Sequence, residues 1–110
     1  MTPEETRLRN VEFAEQAIRL VMAERIRQDG KWGEQNHDPF TYLTILLEEI
    51  GEFAHDALEN RFRPAQQETE IIEEAVQVAA VAMAIVECIL RNKWFWAAPD
   101  CPAKQKGNES

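Results

Sequence analysis

Cysteine is scarce. Only Cys88 and Cys101 occur in the 110 residues, they form no C-x-x-C pair, and Cys88 falls inside an apolar helical run. A disulfide framework is therefore not expected, and a reducing cytoplasm is the expected compartment. Basic charge is short as well: 12 Lys and Arg stand against 20 Asp and Glu, for a net charge of -8. Such a surface repels polyanions, so neither a nucleic-acid polymer nor an anionic membrane is an expected partner, although a small anion remains open to it through a metal. There is no long hydrophobic run. The most apolar stretch, Ala75 to Leu90, is interrupted by Gln77 and Glu87 and falls short of the ~20 residues of a membrane span. The N-terminus carries Glu4 and Glu5 in place of the apolar centre of a signal peptide. Glycine and proline are few, at 4 and 5, and no alternating strand pattern is present, which leaves long helical segments as the main content.

With 45% apolar residues and no break in composition, the chain reads as one all-α domain over residues 1–98. A polar tail without periodicity follows over 99–110. Thr2-Pro3-Glu4-Glu5 has the N-cap, proline and acidic first turn that begin a helix. Val11, Ala14, Ile18, Val21, Met22 and Arg25 continue it at helical spacing, and Asp29-Gly30 is the expected stop. Arg7, Arg9, Arg19, Arg25 and Arg27 are expected on its solvated face. Asp38-Pro39 begins a second helix reaching about Glu59 or Asn60. A third runs from Gln66 or Gln67 to about Asn92, acidic at first and then apolar on nearly every side. A helix of that kind must be covered all round, and three long helices from one short chain cover it poorly, so a dimer or larger assembly is expected. Trp94-Phe95-Trp96 is expected as a short last helix or an aromatic lid.

Between the first two helices lies Lys31-Trp32-Gly33-Glu34-Gln35-Asn36-His37-Asp38, a polar connection with an indole in it. Trp32 offers a face for a base, Lys31 a charge for phosphate, and Gln35, Asn36 and His37 donors and acceptors. The same residues also suit a structural role, with Trp32 covering the core and His37 bonding a helix end.

The second helix carries Leu46-Leu47-Glu48-Glu49-Ile50-Gly51-Glu52. At about 100° per residue, Glu49, Glu52 and Asp56 fall within about one sixth of the circumference. Leu43, Leu47, Ile50, Ala54 and Leu58 line the neighbouring arc, which is expected to be buried. Carboxylates so placed repel one another, and withdrawing them from water is costly unless protons or a cation compensate. In the third helix Glu70, Glu74 and Gln77 share a face. Two helices presenting such groups to each other suit a hard divalent ion, Mg²⁺ or Mn²⁺ in preference to zinc. Gly51, costly inside a helix by about 1 kcal/mol, calls for close approach by another helix or a ligand. Glu52-Phe53-Ala54-His55 is an E-x-x-H of the kind found in carboxylate-bridged di-iron bundles, but those need two on helices and the chain has one so placed.

Trp32, Gln35, His37 and Pro39, then Leu47-Glu48-Glu49-Ile50-Gly51-Glu52, then Glu73-Glu74-Ala75-Val76-Gln77-Val78-Ala79-Ala80 together resemble the MazG-like, all-α nucleoside triphosphate pyrophosphohydrolases, including the dCTP pyrophosphatase branch. The resemblance spans roughly Arg25 to Leu90. It implies a helical bundle of three long helices plus a short C-terminal one, completed by oligomerisation as a homodimer or homotetramer. It implies Mg²⁺-dependent cleavage of a nucleoside triphosphate between the α and β phosphates, in the house-cleaning of nucleotide pools. Carried across, Glu49 and Glu52 match the ExxE ligands and Glu74 the first residue of ExxD, and Gln77, where the family usually has Asp, is the fourth implied metal ligand through its carbonyl oxygen. Glu48 or Glu49 is the implied base, and Lys31, Trp32, Gln35, Asn36 and His37 are the implied substrate contacts. Because Gln77 brings one charge fewer, a catalytically weak or inactive nucleotide-binding module is the alternative.

Overall fold

In the computed structural model, residues 1–62 and 68–92 are described. They form four α-helices and no strand: α1 (Pro3–Arg9), α2 (Val11–Trp32), α3 (Pro39–Phe62) and α4 (Glu68–Asn92). The expected all-α architecture is thus present. Trp94 to Trp96 and the tail over 99–110 lie outside the described residues.

The first helix begins as its sequence dictates. Thr2 Oγ1 accepts from the Glu5 amide at 3.1 Å, and the Glu5 carboxylate accepts from the Thr2 amide at 3.3 Å, a reciprocal capping box with Pro3 at the first turn. It does not run on unbroken. Asn10, at φ -100° and ψ 10°, separates α1 from α2, since asparagine is a weak helix former that takes such conformations readily. The helix also outlasts its expected stop: Gly30 is passed over, and α2 ends at Gly33, whose φ of 75° is the left-handed conformation that glycine adopts without penalty. Its amide donates to the Asp29 carbonyl at 2.8 Å. Trp32 therefore belongs to the last turn of α2, not to the loop.

The start of α3 is as expected. Asp38 accepts from the amides of Phe40 at 2.8 Å and Thr41 at 2.9 Å, and from the Thr41 hydroxyl at 2.9 Å. The helix extends two residues beyond the expected Asn60, to Phe62.

Helix α4 is the shared support, packed most extensively on α3 and also on α2. Helix α3 runs antiparallel to it: Tyr42 sits beside Cys88 at one end and Asp56 beside Glu74 at the other. The buried apolar residues are few: Tyr42, Ala80, Val81 and Cys88. Burial pushes the Tyr42 hydroxyl up to about 12, which keeps it a donor to the Gln35 carbonyl at 3.0 Å. Arg25 is a correction to the expected solvated basic face. It is only 8% exposed, because Glu87 of α4 faces it and accepts from Nη2 at 2.6 Å and Nε at 2.9 Å, while Gln28 and Asp29 accept at 3.0 Å. This fork ties α2 to α4 in one register.

The aliphatic arc of α3 is a second correction. Leu43, Leu47, Ile50, Ala54 and Leu58 are all exposed, Leu47 by 56%. The half-buried face of α3 is instead Leu46, Glu49, Phe53 and Asp56, in line with Tyr42, so the carboxylates stand in the α3–α4 seam itself. Ile18, Met22 and Ile26 make a similar outward stripe on α2. Helical periodicity locates a face but not what lies against it.

Candidate metal centre

Three carboxylates converge where the acidic part of α3 meets the first turns of α4. Glu49, Glu52 and Glu74 each offer an oxygen within 4.8 Å of the others. Glu49 and Glu74 are half-buried and Glu52 is exposed. The spacing explains the convergence: Glu49 and Glu52 are one turn apart on α3, and the antiparallel α4 brings its acidic beginning to the same level.

The cluster is electrostatically costly as it stands. Burial raises the Glu49 carboxyl above its ordinary pKa, and the charges of Glu52, Glu24 and Glu48 add to the effect. Burial likewise raises Glu74, with Glu52, Asp56 and Glu49 contributing and a hydrogen bond to Glu52 favouring its protonated form. In each of Glu49 and Glu74, Oε2 is buried without a hydrogen-bond partner. Orphaned carboxylate oxygens are unfavourable in a protein left to itself. An all-oxygen donor set fits a hard divalent cation, whose charge would offset the burial and the mutual repulsion by favouring the ionised carboxylates.

A cavity of about 520 Å³ opens on the cluster, lined by Glu48, Gly51, Glu52, His55, Asp56 and Glu74. Glu48 stands at its exposed side. Gly51 forms part of the wall, and a Cβ there would meet nothing within 4 Å, so none of the described helices approaches it closely. His55 is exposed at the rim.

The other sequence candidates are distributed differently. Gln77 lines a separate cavity between α2 and α4, of about 390 Å³, with Leu20, Ala23, Glu24, Arg27, Ile72, Glu73 and Val76. Trp32 is half exposed, with Lys31 Nζ 4.7 Å and the Arg27 guanidinium 6.0 Å from its ring centre. Asn36 is engaged in holding the loop: its Oδ1 accepts from Arg91 at 2.8 Å and 3.1 Å and from Asn92 at 3.1 Å, and its Nδ2 donates to Glu34 at 3.0 Å. The Gln35 carbonyl accepts from Arg91 at 3.0 Å, and the His37 ring packs edge-on against Tyr42 at 5.1 Å. Gln35 and Asn36 are thus bound to the C-terminal end of α4, and His37 rests on the first turn of α3. Along the helix, Arg91 lies about 25 Å from Glu74, so the loop and the acidic trio occupy different levels of the bundle.

Two acidic residues gain importance from the structure. Asp56 shares the cavity, and its place one turn beyond Glu52 was visible in the spacing. Glu24 was not. It lies on α2 with its side chain 12% exposed, held bidentately by Arg27 at 2.7 Å and 2.9 Å and bonded by Gln28 at 3.1 Å, and only the helix packing reveals its action on Glu49.

The raised carboxyls give the metal-free protein a pH dependence. In the unfolded chain they ionise normally, whereas in the folded chain they hold protons to higher pH. The penalty is therefore present above the folded pKa values, fades as pH falls through them and is gone below the unfolded values. Protein freed of divalent ions is expected to melt at a higher temperature as the pH is lowered from neutral toward the ordinary carboxylate range. A Glu49→Gln/Glu74→Gln double variant should show a flatter profile in scanning fluorimetry, and an equally steep one would remove the cause assigned here.

Compared with known proteins, the chain matches no family model, no curated protein and no solved structure.

Proposed function

We propose that the chain is a Mg²⁺-dependent nucleoside triphosphate pyrophosphohydrolase, cleaving between the α and β phosphates to yield a nucleoside monophosphate and pyrophosphate. The observation that carries this is the trio of Glu49, Glu52 and Glu74 on two packed helices, with two buried carboxylate oxygens unpartnered. These three would hold the ion, Mn²⁺ serving in its place. Bound there, the ion supplies charge neutralisation of the phosphates and lowers the pKa of a water. Glu48 lines the cavity without belonging to the trio, which leaves its carboxylate free to accept the proton of the attacking water; Glu49 is the second candidate for that role. Lys31 and Trp32, with Gln35, Asn36 and His37, are the proposed nucleotide contacts on the loop side.

The proposed working form is a homodimer or homotetramer in the cytoplasm. The outward aliphatic stripes on α2 and α3 support it, since exposed apolar area of this kind is normally covered, and the free thiol of Cys88 suits a reducing compartment. Among the described residues, no helix is long and apolar enough to cross a membrane.

The test is a panel of ribo- and deoxyribonucleoside triphosphates with Mg²⁺, scoring pyrophosphate against orthophosphate. Pyrophosphate with a monophosphate product is expected, abolished by chelator. Binding with intact nucleotide recovered would favour the alternative of a nucleotide-binding module without turnover. Static light scattering on the same sample is expected to give at least twice the chain mass.

A further inference from the structure

Gln77 is the one α4 candidate that the acidic cavity does not include, and its surroundings suggest a use for it. It is half-buried, and its amide makes no hydrogen bond with any described residue. The cavity it lines, about 390 Å³, lies within the range of small-ligand pockets, roughly 300–1,000 Å³. Its walls combine the apolar side chains of Leu20, Ile72 and Val76 with the polar ends of Gln77, Glu73 and Arg27. Glu73, which is exposed, likewise makes no hydrogen bond with a described residue. Arg27 is held flat by Glu24 and reaches from this cavity to Trp32. The cavity shares no lining residue with the one that opens on the trio, but along α4 Gln77 is one turn from Glu74.

We infer that this α2–α4 cavity is a nucleobase subsite, in which the Gln77 amide and the Glu73 carboxylate select a base carrying an exocyclic amino group. The inference rests on the pyrophosphohydrolase reading above, and it gives Gln77 a role in specificity in place of metal ligation. A side-chain amide offers one donor beside one acceptor, the complement of an amino group next to a ring nitrogen. A carboxylate only accepts, so Glu73 rewards a second amino hydrogen and repels the carbonyl oxygens of thymine and uracil. The aliphatic walls receive the ring faces, and the guanidinium plane of Arg27 gives the base a cationic edge to stack on.

Calorimetry on the full chain with Mg²⁺ and the α,β-methylene analogues of dATP, dCTP, dGTP and dTTP tests this without turnover. At least one amino-bearing analogue is expected to bind tenfold or more tightly than the dTTP analogue, the scale of one good paired contact. Gln77→Ala should remove that preference, and Gln77→Glu should alter it. Mn²⁺ affinity of the free protein, read by electron paramagnetic resonance, should stay within about twofold in both variants, whereas metal ligands of the second shell and inward cost about tenfold or more. Unchanged base preference in Gln77→Ala overturns the subsite, as does a parallel loss of Mn²⁺ affinity, which would return Gln77 to the metal. A change of oligomeric state in Gln77→Ala with nucleotide affinity intact would assign the cavity to a contact between copies and also overturn it. If the unaltered protein binds Mn²⁺ but none of the analogues, the pyrophosphohydrolase reading itself falls.

Discussion

Replacing Glu49 or Glu74 by glutamine should move activity and stability in opposite directions. On the proposed function each variant loses one ligand charge from the trio, and a metal ion's stabilisation of a phosphate under attack is worth several kcal/mol. A loss of about 4 kcal/mol corresponds to about 10³-fold in kcat/KM for pyrophosphate release. The metal-free variants, however, lose a repulsion and an unpartnered buried oxygen. Like charges one turn apart cost about 0.2–0.5 kcal/mol on a helix, so a rise in Tm of about 2 °C is expected in chelator. A variant that is inactive and also less stable without metal would point to damage of the fold, and full turnover in either variant would remove the site. The double readout separates a group kept for chemistry from one kept for packing.

The second large effect concerns Arg25. Its guanidinium is buried against Glu87, which is itself one-third exposed. Removing one partner of such a pair strands the other, and fully buried pairs lose about 3–5 kcal/mol. Allowing for the water that reaches Glu87, Arg25→Met is expected to cost about 2 kcal/mol, a fall in Tm of about 8–16 °C by the scaling for a domain of this size. Replacing both residues by methionine should recover most of it, because two apolar side chains of similar volume leave no charge unpaired. If the double variant is as unstable as the single one, the fork is not what aligns α2 with α4. Thermal melts of the two variants with their Mg²⁺ affinities decide the point, since the trio lies on α3 and α4 and should bind the ion in both of them.

Local signals in the sequence were reliable where a few neighbouring residues decide the outcome. Asp38 followed by Pro39 began α3, and Thr2 with Glu5 began α1, because a cap needs only its own turn. The end of α2 was not legible in this way. Gly30 and Gly33 are both able to stop a helix, and only Gly33 adopts the left-handed turn. The convergence of Glu49, Glu52 and Glu74 followed from angular position together with a resemblance that supplied the pairing of the helices. What the pattern did not convey was which arc of α3 meets α4. By hydropathy the aliphatic arc through Leu47 was the natural choice, yet the seam holds Glu49, Phe53 and Asp56. Glu24, Glu87 and the burial of Arg25 share that origin: each depends on a helix far away in the chain, and periodicity within one helix carries no such information.

The position of α4 in the chain order has its own consequence for synthesis. Helices α2 and α3 leave the ribosome before the helix on which both rest, and the Arg25–Glu87 fork waits for Glu87, 62 positions after Arg25. Until then the faces of α2 and α3 that pack on α4 have no support within the chain. The α3–α4 hairpin is a contact between neighbours in sequence and forms quickly, whereas docking of α2 must close a loop around the whole of α3. A nascent chain arrested before Ala80 would therefore offer chaperones two sticky helices, and commitment to the fold comes late, with the last two turns of the spine.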